Sequence, residues 1–305
     1  MSSITTSCPA CGYTLDPALG TVCPYCRTAL PFAEGFQPSA SNLEPPSSPW
    51  LDLLWAFLIW GISGAFLLGL DAALRLILWL MHQPIPQVEI TRGFAIISLG
   101  LTFVMQLAAM AGSWMYVTRF GRKPFLQTLG WRWHPQFRWV HAVALAVLMF
   151  GLAMLLSKLL PHKETELEKV LKLGLTVRVM MVALAILAAP IVEEVVYRGV
   201  VYSAAERLGG KEFGVGLVTF IFALVHVPQY WGSVAAITAI VTLSLVLTLL
   251  RAWTESLLPC VAMHFVYNGV QGVLLLLAPE QALESAPKET ASAAFIVLSR
   301  WCGLN

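Results

Sequence analysis

The chain has 305 residues, of which 58% are hydrophobic and 12% charged, with a formal net charge of +2 and a mean hydropathy of +0.74. Soluble domains carry about 25% charged residues, so most of this chain belongs in a bilayer. A net charge this small leaves no electrostatic footprint for nucleic acid, which is excluded as a partner.

Residues 1–32 hold four of the six cysteines, as Cys8-Pro-Ala-Cys11 and Cys23-Pro-Tyr-Cys26. Two Cys-x-x-Cys knuckles about a short spacer suit tetrahedral zinc, which takes four thiolates without geometric strain. The segment is too small to fold on an apolar core, so the metal would supply the fold. The reading is a zinc ribbon with Cys8, Cys11, Cys23 and Cys26 as structural ligands. Two disulfides are the alternative, and they need an oxidising compartment. Cys260 and Cys302 stand alone and read as small apolar filler. Residues 33–49 form a Pro/Ser-rich linker. No secretory signal peptide is visible, because the first long apolar run begins near Trp50, behind this polar stretch.

About 20 apolar residues make one membrane span. Spans are predicted near 51–80, 94–118, 139–160, 177–204, 213–228, 233–250 and 256–278. The fold class is therefore all-α, a polytopic transmembrane helical bundle of about seven spans, eight at most, behind the small zinc module. Residues 50–138 are read as N-terminal transmembrane helices with a basic loop, 139–278 as the core, and 279–305 as a tail. Asp71 and Arg75 are i,i+4 neighbours and read as a local ion pair. The fifth span is short and ends at Pro228, which fits a broken or oblique helix lining a cavity.

The loop after the second span carries Arg119, Arg122, Lys123, Arg132 and Arg138 and no acid. By the positive-inside rule it faces the cytoplasm, and with two spans before it so does the N-terminus. A reducing compartment keeps the four thiols free for zinc. The mixed-charge loop at Lys158–Lys172 would then lie outside as an amphipathic helix. Trp131, Trp133 and Trp139 fit an interfacial aromatic belt.

Within the apolar core, three short sequences are polar. The first is Glu193-Glu194-Val-Val-Tyr197-Arg198. A charge near the bilayer centre costs about 2.5–3.5 kcal/mol on insertion scales, so three within six residues need pairing or a water-filled cavity. On an α-helix Glu194 and Arg198 share a face and can pair, while Glu193 lies about 100° round with no charge partner on its own helix. An acid so placed suits a general base. The second sequence is Phe222-Ala-Leu-Val-His226, and the third is His264-Phe-Val-Tyr-Asn268. Singly, each histidine or the asparagine serves equally well as hydrogen-bonding glue between helices. Two acids, one arginine, two histidines and one asparagine in three nearly uncharged spans point to a shared site. Peptide hydrolysis needs a water activated by a base and donors for the tetrahedral oxyanion. Glu193 with His226 could hold the water, His264 with Asn268 could supply the donors, and Glu194 with Arg198 could hold the site together. Zinc held by Glu193, His226 and His264 is also sound chemistry. No serine nucleophile motif or His-Glu-x-x-His is present.

Together the three motifs resemble the CPBP family of intramembrane proteases, which comprises type II CAAX prenyl endopeptidases and the Abi, bacteriocin-processing proteins. The family pattern is Glu-Glu-x-x-x-Arg, Phe-x-x-x-His and His-x-x-x-Asn, and here all three are complete and in order over residues 140–278. The resemblance implies a helical membrane fold and a water attack with Glu193 as base beside His226. It also implies an oxyanion role for His264 and Asn268. The family is often called metalloprotease, and the catalytic metal stays open. The expected partners are membrane lipid, a peptide or protein substrate (lipidated in the CAAX-type reading) and an unidentified partner of the zinc ribbon. The expected location is a bacterial cell membrane. A membrane transporter, or a non-catalytic membrane scaffold with the ribbon as its binding head, is the alternative.

Overall fold

The computed structural model describes residues 6–7, 14–15, 48–59, 91–161 and 163–277, with isolated positions at 61, 76 and 79–81. The chain divides into two compact units, Met1–Ser47 and Ser48–Asn305. In the first unit, strands β1 (Thr6–Ser7) and β2 (Thr14–Leu15) pair antiparallel, with Thr6 opposite Leu15 and Ser7 opposite Thr14. The four cysteines proposed as zinc ligands lie outside the described residues, as do Asp71, Arg75, Cys302 and the tail.

Among the described residues of the second unit, all regular structure is helical. Its elements are α1 (Pro49–Ile59), α2 (Arg92–Val117), α3 (Phe125–Leu129), α4 (Trp139–Leu159) and α5 (Glu166–Leu171). There follow α6 (175–209), α7 (211–226), α8 (Val234–Thr254) and α9 (Leu258–Leu277). Five described helices are long and apolar enough to cross a membrane, counting α6 and α7 as the single 52-residue helix Leu175–His226. The expected spans at 94–118, 139–160, 233–250 and 256–278 fall on α2, α4, α8 and α9. Only the start of the expected 51–80 span is described, as α1.

The expected fourth and fifth spans prove to be one hairpin. Gly210 breaks the helix at φ 85°, ψ 179°, a conformation open to glycine alone. On a straight helix Tyr197 and Phe222 would be about 37 Å apart at 1.5 Å per residue; their ring centroids are 4.9 Å apart. α7 therefore runs back along α6. The next glycine contact shows how closely: a Cβ at Gly214 would stand 3.0 Å from the Tyr202 ring.

Inside α6 the backbone is not uniformly α-helical. Leu184–Ala188 and Glu194–Val201 are π-helical, separated by the single α turn Ala189–Glu193. Uniform α-helical spacing, assumed from the sequence, thus fails at the motif itself. Such i→i+5 segments are rare and concentrate at functional sites.

Small residues let the helices approach, as expected where lipid supplies no hydrophobic drive between them. Ala142 and Ala146 of α4 pack against Leu243, Leu247, Ala262 and Met263 of α8 and α9, and Ala204 and Ala205 of α6 pack with Val218 and Ile221 of α7. Exposed apolar side chains such as Phe103, Leu148, Phe220 and Leu249 suit contact with lipid tails. Cys260 is buried in this core, its thiol donating to the Leu247 carbonyl at 3.4 Å. The 158–172 loop carries only the short α5, closed by a capping box. Thr165 N–H donates to Glu168 Oε2 (2.8 Å), and Glu168 N–H to Thr165 Oγ1 (3.3 Å). Backbone bonds from Lys163 to the Gly232 carbonyl and from Leu167 to the Gln229 carbonyl dock it on the turn after His226.

Candidate active site

Glu194 opens the second π segment and Arg198 lies one turn on within it, both without solvent exposure. Arg198 Nη1 donates to Glu194 Oε1 at 3.1 Å. The rest of the guanidinium is anchored on α8. Nε donates to Thr248 Oγ1 (3.2 Å), and Nη2 donates to Ser244 Oγ (2.9 Å) and to the Ser244 carbonyl (3.1 Å). The Arg198 cation also lies 4.7 Å from the Phe222 ring centroid, a favourable contact in a desolvated site. A buried charge is tolerated only when paired and hydrogen-bonded, and this one is.

The same Glu194 oxygen accepts from α9. His264 Nδ1 stands 2.7 Å from Oε1, and a carboxylate can only accept, so Nδ1 carries the proton. That bond fixes the ring and turns Nε2 towards Glu193, whose Oε2 is 4.0 Å away. Glu193 is the accessible member of the group, with its side chain 23% exposed against 4% for His264. The structure thus joins Glu193, Glu194, Arg198 and His264 in one run of polar contacts across α6, α8 and α9.

His226 reaches the group through Phe222. Its ring stacks on Phe222 at 4.5 Å, and Phe222 meets His264 edge-on at 6.5 Å. His226 Nδ1 is 2.7 Å from the Phe222 carbonyl. It must therefore be the donor, leaving Nε2 of the neutral ring with a lone pair. Asn268, one turn beyond His264, donates from Nδ2 to the Ala185 carbonyl at 2.8 Å. One of its two amide N–H groups is thereby taken.

Residues 174–270 match a family model described as type II CAAX prenyl endopeptidase Rce1-like. The stretch is about a third of the chain, from the start of α6 into α9, and holds all three motifs. No curated protein and no solved structure matches the chain. The similarity supports a CAAX-type intramembrane endopeptidase in general, and it brings neither a substrate nor residue roles to this chain.

Three parts of the site were not found in the sequence. Ser244 and Thr248 were missed, although polar residues four apart on an otherwise apolar helix were a usable signal. Arg251, three residues on, was missed as well; its Nε donates to the Arg198 carbonyl at 3.2 Å. Tyr230 lies on the turn bonded to α5, and burial first, then neighbouring Tyr267 and the charge of Glu193, push its phenol pKa up. Nothing in the sequence around Tyr230 signalled that proximity.

Proposed function

We propose that this protein is an intramembrane endopeptidase in which Glu193 activates water against a substrate peptide bond. The observation that carries the reading is the shared imidazole. Glu194 grips His264 on one side, and Glu193 faces its other nitrogen from the accessible side. A separation of 4.0 Å between Glu193 Oε2 and His264 Nε2 is the span that one small oxygen species can bridge with two hydrogen bonds of about 2.8 Å.

In this mechanism Glu193 takes a proton from water, and the unprotonated Nε2 of His226 accepts the second hydrogen and orients the nucleophile. The water oxygen attacks the scissile carbonyl. His264, held at Nδ1 by Glu194, presents Nε2–H to the developing oxyanion when both of its ring nitrogens carry a proton. As the tetrahedral intermediate collapses, Glu193 returns its proton to the leaving amine. Among the described residues no three His, Cys, Asp or Glu side chains come together as a metal site, so no step is routed through a metal.

The basic loop at 119–138 supports a cytoplasmic N-terminus; we further propose a bacterial cell membrane as the setting, with Cys8, Cys11, Cys23 and Cys26 holding a structural zinc and the ribbon recruiting a partner. The test uses purified protein in proteoliposomes with paired fluorogenic peptides, one ending in a farnesylated Cys-a-a-X sequence and one without the lipid. Cleavage abolished by Glu193→Gln and by His226→Ala supports the reading, and preference between the peptides decides whether the substrate is lipidated. Full activity in either variant would falsify it. Solute flux without cleavage would favour a transporter.

A further inference from the structure

We propose that Asn268 is a positioning residue: its side-chain amide replaces the backbone donor that Pro190 lacks and so holds the register in which Glu193 and Glu194 face His264. In the first π segment the Ala189 N–H donates to the Leu184 carbonyl, five residues back. The next bond in that series would run from residue 190 to the Ala185 carbonyl, but residue 190 is proline and has no N–H. The α-type alternative is closed too, because the Ala189 N–H is already spent on Leu184. Neither winding therefore gives the Ala185 carbonyl a donor, in a half-buried stretch of a membrane-spanning helix where an unpaired carbonyl is costly.

Asn268 Nδ2 fills that gap at 2.8 Å from α9. The approach is enforced one turn further on, where a Cβ at Gly272 would stand 2.7 Å from Ile186 and 2.8 Å from Val182. From Pro190 the chain makes one α turn to Glu193 before the second π segment begins. Where the first π segment ends decides which way both acids point. Asn268 and His264 sit one turn apart on α9, so a single helix sets the register of the acids and supplies the imidazole that they face.

The experiment is a cycle of Asn268→Ala and Pro190→Ala in the full chain. The activity arm rests on the endopeptidase reading; the second arm, hydrogen exchange across residues 184–194, does not. N268A is expected to lower kcat about 100-fold at unchanged KM, the scale of a 1 Å misplacement of a reacting group. It is also expected to speed exchange in that segment at least ~10-fold, the scale of leaving a buried hydrogen-bonding group unpaired. Adding P190A, which restores a backbone N–H, is expected to recover both. Equal loss of kcat in both backgrounds with unchanged exchange would overturn the proposal and assign Asn268 to the reaction itself. If P190A does not fold, exchange in N268A decides alone. If the wild type cleaves no peptide, the endopeptidase reading fails while the exchange arm still judges Asn268.

Discussion

Two buried carboxylates in this bundle are held by cationic or donor side chains, and the two arrangements are not equivalent. Asp52 of α1 is 2% exposed and lies 3.0 Å from Arg207 and 3.6 Å from Arg119, whose side chains are 48% and 41% exposed. Glu194 is held by Arg198 and His264, themselves 0% and 4% exposed. Water screens the first cluster and can replace a lost partner. The second has only protein around it, and Glu194 Oε2 is already buried without a hydrogen bond. The first arrangement fastens helix ends together. The second stores charge beside an accessible acid, which is what chemistry requires.

Breaking the interior cluster has the largest expected effect. Arg198→Ala strands Glu194 and removes the partner of Ser244 and Thr248, and loss of one member of a buried pair costs about 3–5 kcal/mol. The expected outcome is a large fall in thermal stability in detergent together with complete loss of cleavage. Glu193→Gln should behave oppositely. This side chain faces His264 from the accessible side and anchors nothing, so cleavage should fall by about 10²–10⁴-fold with melting temperature unchanged. A stability loss in E193Q as large as that in R198A would erase the distinction between the holding acid and the reacting acid.

How much of this was legible follows from what each pattern encodes. The Glu194–Arg198 pair was readable because a four-residue spacing survives the change from α to π winding. The spans were readable because lipid demands long apolar runs. The hairpin at Gly210 was harder. The Gly209-Gly210 pair is a turn signal, but the depth of the turn depends on Tyr197 meeting Phe222 across 25 residues. The π segments were not legible at all. Beside the first of them stand Pro190, which has no N–H, and the amide of Asn268 on a helix some 80 residues away, and no local window contains both. The role of His264 as the link between the two acids was hidden for the same reason.

A smaller effect tests the α8 anchor of the interior cluster. Ser244→Ala removes one acceptor from Arg198 Nη2 but leaves the Ser244 carbonyl at 3.1 Å. The expected cost is about 1 kcal/mol, that of one ordinary hydrogen bond. Thr248→Val removes the acceptor of Arg198 Nε and leaves a buried donor unpaired, so it should cost more, about 1–3 kcal/mol. Thermal unfolding of the two variants side by side checks the order. If S244A proves the worse, the guanidinium is held by its hydroxyl contact and not by the backbone.

The smallest expected effect lies in the outer cluster. Arg207→Ala removes the closer of the two cations at Asp52 and a bond to the Tyr116 hydroxyl at 3.3 Å. Arg119 remains 3.6 Å away, and the vacated side of Asp52 faces solvent. Exposed pairs contribute about 0–1 kcal/mol, and the depth of Asp52 places this one at the upper end. The loss should also shrink as salt rises, because charges reached by solvent are screened within about 10 Å at 0.1 M. The same titration of salt against melting temperature should leave the R198A deficit unchanged, since no ions reach Glu194. A salt-insensitive R207A deficit would mean that Asp52 is as sealed as Glu194, and the two carboxylates would then differ only in having, or lacking, a reactive neighbour.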